Sequence, residues 1–455
     1  MNATFPLSTG GLGHELQGQK VVSDGTYLYA YEVQDKVGPG VLAGALLFKM
    51  DLAGNVLNSW FLQLPALDTL MLTSITINPT HTHLFLSGQY KDNSQGRTEA
   101  VLLRVSTSGT GLIARTFSSQ HPTGGDLMLT KVVPYVGPGG APRLALLGQM
   151  HEYYPTTGTQ IWVGELDESL TLLESYRFSS VLHPADIQWD NAHFCDVYVK
   201  NGSTLTIMGV KQNSTAVMFN WDPNSNSFLD SYGSLNNVKG LTHPTFEAPP
   251  SFQYDPATAN TYLGSYVLAG SALGASVTEV AMVARLTGNF TPIWSKEYAV
   301  ISGIPRSTLF IGRFAVQPAG VLFGYHVFNL NHNGSISLNP ANGNVQLCLD
   351  HPDLSLHTYN LSYATRLNGQ NLFFGWDDQF GSPFSRVFDT DALGIPASTN
   401  NCPPVSMPVA SENVNLTSAY YWYVTVNDTT PVVAVNGSVS QESGENWLCD
   451  LQQPA

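Results

Sequence analysis

An all-β fold, a seven-bladed propeller of four-stranded antiparallel blades with a small C-terminal β module, is what this sequence predicts. Three observations predict it. An apolar run closed by a glycine recurs at a near-constant period; a second apolar run follows each copy; and no amphipathic helix of useful length can be read anywhere. Strands alternating with short Gly, Asn and Asp turns read as antiparallel meanders, and a unit repeated every 50–60 residues reads as a ring or array.

The recurring glycines are Gly88, Gly148, Gly209, Gly270, Gly324 and Gly375, spaced by 60, 61, 61, 54 and 51 residues. Each ends a run such as "LFLSG", "LALLG", "LTIMG" or "NLFFG", the second strand of its unit. A first copy, Gly25–Val33, has Ala30 in the glycine's place. A third strand follows at 44–51, 99–106, 160–167, 215–222, 278–286, 334–340 and 384–391, and a turn with a fourth strand at 52–61, 287–295 and 341–349. A four-stranded twisted sheet buries neither face alone. Stacking seven of them around an axis buries both faces of each. The glycine suits a crowded place in such a stack, having no Cβ.

The ring must close. The last unit supplies strands near Leu361–Leu367, Asn371–Trp376 and Ser385–Thr390 but no clear fourth. The extended N-terminal stretch 3–8 has no unit of its own, so it is expected to complete the last blade. The domains are then a propeller over 1–401 and a tail over 402–455.

Composition restricts the function. Charged residues are 12% of the 455, about half the roughly 25% of an ordinary soluble domain. The formal net charge of −15 makes a nucleic-acid partner a poor fit, since a phosphate backbone calls for a basic face. No apolar run approaches the ~18 residues of a membrane-spanning helix. The start shows neither basic nor apolar leader regions, so export would need a leader already removed or another route.

"LLFKMDLAGNVLNSW" (46–60) and "VARLTGNFTPIWS" (283–295) resemble the repeats of secreted and cell-surface β-propeller proteins of bacterial type. The resemblance covers roughly residues 20–395 and concerns blade architecture. It implies an extracellular or cell-surface location. Several units depart from it, with Phe117, Phe178 and Tyr232 near the place of the repeat tryptophan.

In the tail, Cys402 and Cys449 bracket strand-like runs at Ala419–Val426, Pro431–Val435 and near Trp447–Leu448. A disulfide between them would stabilise a module with little core by roughly 3–4 kcal/mol. Cys195, in an inner strand, and Cys348, in an outer strand two units on, are expected to be too far apart to pair. Sequons at Asn2, Asn201, Asn213, Asn289, Asn333, Asn360, Asn415, Asn427 and Asn436 offer glycans that could supply the solubility charges do not.

Chemistry is harder to find. The twelve histidines form no HExxH pair and no cluster at zinc spacing; His81 and His83 read as a solvated turn, and His151 as surface. There is no G-x-S-x-G elbow. "SDGTYLY" (23–29) has half of an Asp-box turn and does not recur. Asp377 and Asp378 could hold calcium, though a plain turn accounts for them. No other cofactor is expected. The residues just past the repeat glycines, taken as second-to-third-strand loops on one face, bring together Tyr90, Tyr153, Tyr154, Tyr325 and Trp376, a stacking surface for glycans or a protein partner. The expected function is therefore non-enzymatic: a structural or assembly protein binding neighbouring subunits or surface partners, such as a glycosylated filament or sheath subunit. A carbohydrate-binding adhesin using the aromatic face is the alternative, and a hydrolase or lyase with an axial site is a second one.

Overall fold

The computed structural model describes 2–6, 21–34, 44–52, 56–64, 69–92, 97–118, 125–152, 158–180, 195–211, 215–236, 241–243, 246–248, 251–268, 279–300, 309–327, 332–350, 360–367, 370–377, 384–390, 405–406, 409–413, 418–419, 423–427, 432–435 and 438–441. Among these residues all regular structure is antiparallel strand, save one 3-10 turn at Pro138–Gly140.

The strands form successive meanders. Sheet 1 holds Val21–Ser23, Leu28–Gln34, Gly44–Met50 and Val56–Gln63; sheet 2 holds Thr69–Ile77, His83–Asp92, Arg97–Ser106 and Ile113–Phe117. Sheet 3 runs Gly125–Val136, Pro142–Glu152, Gly158–Asp167 and Leu172–Ser180, and sheet 4 Cys195–Lys200, Thr204–Lys211, Thr215–Asp222 and Ser227–Asn236. Sheet 5 is built from Ser251–Asp255, Asn260–Leu268, Glu279–Leu286 and Pro292–Val300; sheet 6 from Leu309–Gln317, Gly320–Val327, His332–Leu338 and Val345–Asp350. Sheet 7 has Asn360–Leu367, Gln370–Asp377 and Phe384–Thr390, and its fourth strand is Asn2–Pro6, with Ala3 opposite Val387. A small hairpin, Leu241–His243 with Phe246–Ala248, precedes sheet 5. The first strand of each sheet lies beside that of the next, from sheet 1 through to sheet 7. The chain is a β-propeller.

Alternation along each strand sends side chains into two neighbouring interfaces. In Arg97–Ser106, Val101, Leu103 and Val105 pack with Tyr31, Leu47 and Trp60 of sheet 1, while Ala100 and Leu102 pack with Leu127, Leu129 and Trp162 of sheet 3. Sheets 3 and 4 share a third cluster, where Tyr176 meets Trp221 edge-on at 5.0 Å. Sheets 2 and 3 are thus buried on both faces, and each such aromatic contributes about 2–3 kcal/mol of transfer free energy.

The repeat glycine has a specific cause. Gly88 lies opposite Leu72, and the ladder then skips to Ser74, so Thr73 is an extra residue bulging from the first strand. A Cβ on Gly88 would meet the Met71 carbonyl oxygen at 2.1 Å. Gly148 faces the same irregularity between Leu129 and Lys131, and Gly375 one between Leu361 and Tyr363. The bulged threonine ties blades together: Thr73 Oγ1 donates to Ser87 O (3.1 Å) in its own sheet and Leu129 O (2.9 Å) in the next. Gly88→Ala should therefore lower stability by about 2–4 kcal/mol, read as a shifted urea midpoint with unchanged slope, because backbone and not a pliable side chain must move. A change below 0.5 kcal/mol would show that the first strand yields freely.

Turns between third and fourth strands in sheets 2 to 6 follow one template. The first residue offers a side-chain acceptor to the turn's backbone, as when Asp167 Oδ1 accepts from Ser169 N (2.9 Å) and Thr171 N (2.8 Å). A later residue takes positive φ: Gly109 (77°), Leu170 (65°), Phe290 (60°) and Gly343 (71°). What fills that position depends on the preceding sheet's tryptophan. A Cβ on Gly109 would strike the Trp60 ring, and one on Gly343 the Trp294 ring. In sheet 3 the position holds Leu170, fully buried in the cluster that sheets 2 and 3 share.

The tail differs from the expected module. Its strands do not pair with one another among the described residues. Val405–Ser406, Val409–Asn413, Ser418–Ala419, Tyr423–Asn427, Val432–Val435 and Ser438–Gln441 each add a fifth strand to the outer edge of one sheet, in the order 6, 5, 4, 3, 2, 1. The chain thus runs back around the propeller as a belt. Cys402 and Cys449 lie outside the described residues; Cys348 is buried in the fourth strand of sheet 6, and Cys195 begins the first strand of sheet 4.

Candidate functional site

In an antiparallel meander, alternate connections fall at opposite ends of the sheet. In sheets 2 to 6, the connections between first and second strands and between third and fourth run from two to six residues. Those at the other end, including every passage between sheets, run from three residues to the fourteen of 181–194. One end of the propeller is therefore built of tight, self-bonded turns. The other carries the chain that a rigid scaffold can spare for binding.

At this long-connection end, between sheets 1 and 2, stands a polar group on strand termini. Tyr90 lies directly opposite Glu99, and its hydroxyl donates to Glu99 Oε2. The Tyr90 ring packs on the cluster shared by the two sheets, while Glu99 is only 5% exposed. One residue away, Thr98 N donates to Asp126 Oδ1 at 2.6 Å, linking the third strand of sheet 2 to the first of sheet 3. Gln89 and Gln149 are buried at the same end of their sheets. A phenol and a carboxylate held together can donate, accept and pass a proton, and Asp126 adds a second acidic group nearby.

The opposite end is occupied by its own turns. Asp24 Oδ1 accepts from Thr26 N and Tyr27 N and Oδ2 from the Tyr29 hydroxyl; burial would raise this carboxyl, but these bonds hold it below the usual carboxylate range. The half-motif "SDGTYLY" is thus an Asx turn. His83 Nδ1 is shared with Thr82 and Nε2 with Arg104 at 2.8 Å, and burial together with the Arg104 charge depresses its protonation. That excludes the solvated turn expected for His83, whereas His81 is exposed at φ 57°. Among the described residues no group of three or more His, Cys, Asp or Glu could hold a metal ion.

Of the five expected aromatic residues, Tyr90 belongs to the group just described. Tyr325 and Trp376 lie in second strands, opposite Gly334 and Ser385. Tyr153 and Tyr154 lie outside the described residues, as does Asp378; Asp377 ends the strand Gln370–Asp377. The expectation that these positions are loops is corrected: the strands run two to four residues beyond the glycines, to Asp92, Glu152, Lys211, Val327 and Asp377. Ladder partners opposite these residues keep the strand going. Glu99 and Asp126 were not foreseen. The signal for Glu99 was a charged residue opening an otherwise apolar strand; Asp126 had none. Of the sequons, Asn201 and Asn289 are exposed in turns, Asn2, Asn333, Asn360 and Asn427 fall in strands, and Asn213, Asn415 and Asn436 lie outside the described residues.

No protein-family model matches this chain, and no curated protein does. Solved structures do. A putative 6-phosphogluconolactonase from Bacteroides uniformis is similar at 12% identity and TM-score 0.45, over 86% of this chain and 100% of that one. A periplasmic gluconolactonase from Pseudomonas aeruginosa is similar at 14% identity and TM-score 0.41, over 84% and 99%. The β-propeller domain of the Trilobed protease from Pyrococcus furiosus, described as having an open velcro topology, is similar at 9% identity and TM-score 0.40, over 84% and 98%. The expected non-enzymatic structural role is corrected at this point. Proteins named as lactonases stand among the similar structures, and a non-enzymatic role is not supported. Among the described residues no helix is long and apolar enough to cross a membrane.

Proposed function

We propose that the chain is an exported, seven-bladed propeller, closed by its first strand and girdled by its tail, that acts on a small polyhydroxylated compound at the long-connection end. Glu99 and Tyr90 are assigned the proton transfers, with Asp126 and the two glutamines positioning hydroxyl groups. The observation that supports this reading is the Tyr90–Glu99 bond at a junction of blades, on the end of the propeller where the longer connections lie. A carboxylate 5% exposed and bonded to a phenol is held in one orientation, as acid–base work requires. The hydroxyls and amides of the composition suit a sugar-like ligand better than a charged one. Glycans on the exposed Asn201 and Asn289 would accompany export.

The test is turnover of a panel of sugar lactones and glycosides by the full chain. Glu99→Gln and Tyr90→Phe keep size and shape, so each is expected to lower kcat by about 100-fold or more with an unchanged melting temperature. Turnover that survives both substitutions, or a panel with no substrate, refutes the assignment.

A further inference from the structure

The repeat shows where one blade breaks its own pattern. The third-strand residue two before the turn is Lys49, Arg104, Asn220, Arg285 and Ser337 in sheets 1, 2, 4, 5 and 6. Three of these are cations, and two meet tyrosine rings. Lys49 Nζ lies 3.9 Å from the Tyr27 ring centroid, and the Arg285 guanidinium 5.7 Å from that of Tyr262. In sheet 3 the residue is Glu165, a carboxylate where its counterparts are positive or neutral. Its second-strand neighbour is Ala145, where sheets 1, 2 and 5 place Tyr29, Phe85 and Tyr262. Its fourth-strand neighbour is a second carboxylate, Glu174.

The surroundings sharpen the anomaly. Glu165 is 7% exposed; Oε2 accepts from the Tyr135 hydroxyl at 2.7 Å, and Oε1 has no hydrogen-bond partner. Glu174 is exposed and accepts from the Tyr176 hydroxyl, and Tyr176 packs on Trp221 of sheet 4. Each carboxylate is thus held by one tyrosine on one oxygen, at the interface between sheets 3 and 4. The titratable and charged groups acting on Glu165 are Tyr135, Arg143, Glu174 and, from sheet 4, Asp222, with Tyr176 bonded to Glu174. Three carboxylates stand against one guanidinium. An orphaned, buried carboxylate oxygen costs free energy that a bound cation removes.

We propose that this pair of carboxylates binds a primary ammonium group, that of an alkylamine or of a lysine side chain. The ammonium takes the place that Lys49 fills in sheet 1, bonded to Glu165 Oε1 and Glu174 with the tyrosine rings alongside. Burial, together with the charges of Glu174 and Asp222, pushes the Glu165 carboxyl up to about 7, against the Tyr135 bond and Arg143. A raised carboxyl favours the protonated fold, so without ligand stability is greatest below the ordinary carboxylate range and is lost as pH rises toward 7. Binding should strengthen over the same interval, because the proton competes with the ammonium for Glu165.

Saturation-transfer NMR and thermal melts of the full chain test this with n-butylammonium, n-butanol and Nα-acetyl-lysine methylamide at pH 6 and 8. Expected are transfer and a raised melting temperature at pH 8 for both ammonium compounds, weaker at pH 6, with none for butanol. Stronger binding of the lysine derivative identifies a peptide source, and stronger butylammonium a free amine. Glu165→Gln and, separately, Glu174→Gln should weaken binding about tenfold or more, while Lys49→Gln leaves it unchanged. Equal binding of butanol, no binding by either ammonium, or full binding by both glutamine variants overturns the site.

Discussion

A chain truncated after residue 404 is expected to keep its strand content by far-UV circular dichroism and to lose its solution behaviour. On size exclusion it should shift from the full chain's elution position to larger species at micromolar concentration. The belt's strands are two to five residues long. Each ladder bond contributes about 1 kcal/mol net, while ordering each residue costs about 1–2 kcal/mol. The belt therefore adds little stability beyond the contacts of side chains such as Val439, which packs on the core of sheets 1 and 2. Its larger effect is on edges. Without it, the outer strands of six sheets, among them Val56–Gln63 and Pro292–Val300, present open rows of N–H and C=O groups. A truncated protein that elutes as the full chain does, at any concentration, would show that those edges need no cover.

The second large effect concerns Lys131 and Asp196, whose side chains are 11% and 2% exposed and lie 2.8 Å apart across the first strands of sheets 3 and 4. Asp196 Oδ1 also accepts from Val197 N at 2.8 Å. Asp196→Ala leaves an ammonium buried without its counter-charge and is expected to cost about 3–5 kcal/mol. Lys131→Met with Asp196→Leu should recover most of that loss, since an apolar pair of similar volume carries no desolvation penalty. Urea unfolding of the three proteins decides it. A single substitution costing under 1 kcal/mol, or a double no better than the single, would mean that water reaches the pair.

Much of the architecture is legible in the residues. Third strands expected at 215–222 and 384–391 are found at Thr215–Asp222 and Phe384–Thr390, because period-two alternation and turn residues are local signals. The belt was not legible. Segments such as Ser418–Ala419 and Val405–Ser406 are too short for any pattern, and they are strands only because an outer edge with unmet bonds lies beside them. The candidate sites divide in the same way. Tyr90 was found from its place after Gly88, but Glu99 needed the register that sets it opposite Tyr90, and Glu165 needed the comparison of one blade with its neighbours.

By itself the sequence determined the repeat, its strands and their antiparallel order, since apolar alternation and turn chemistry act over a few residues. Only the tertiary structure decided why the repeat glycines are glycines, where the tail goes and which carboxylates are buried together. Those outcomes depend on close approaches between segments up to several hundred residues apart, and such distances leave no mark on local composition.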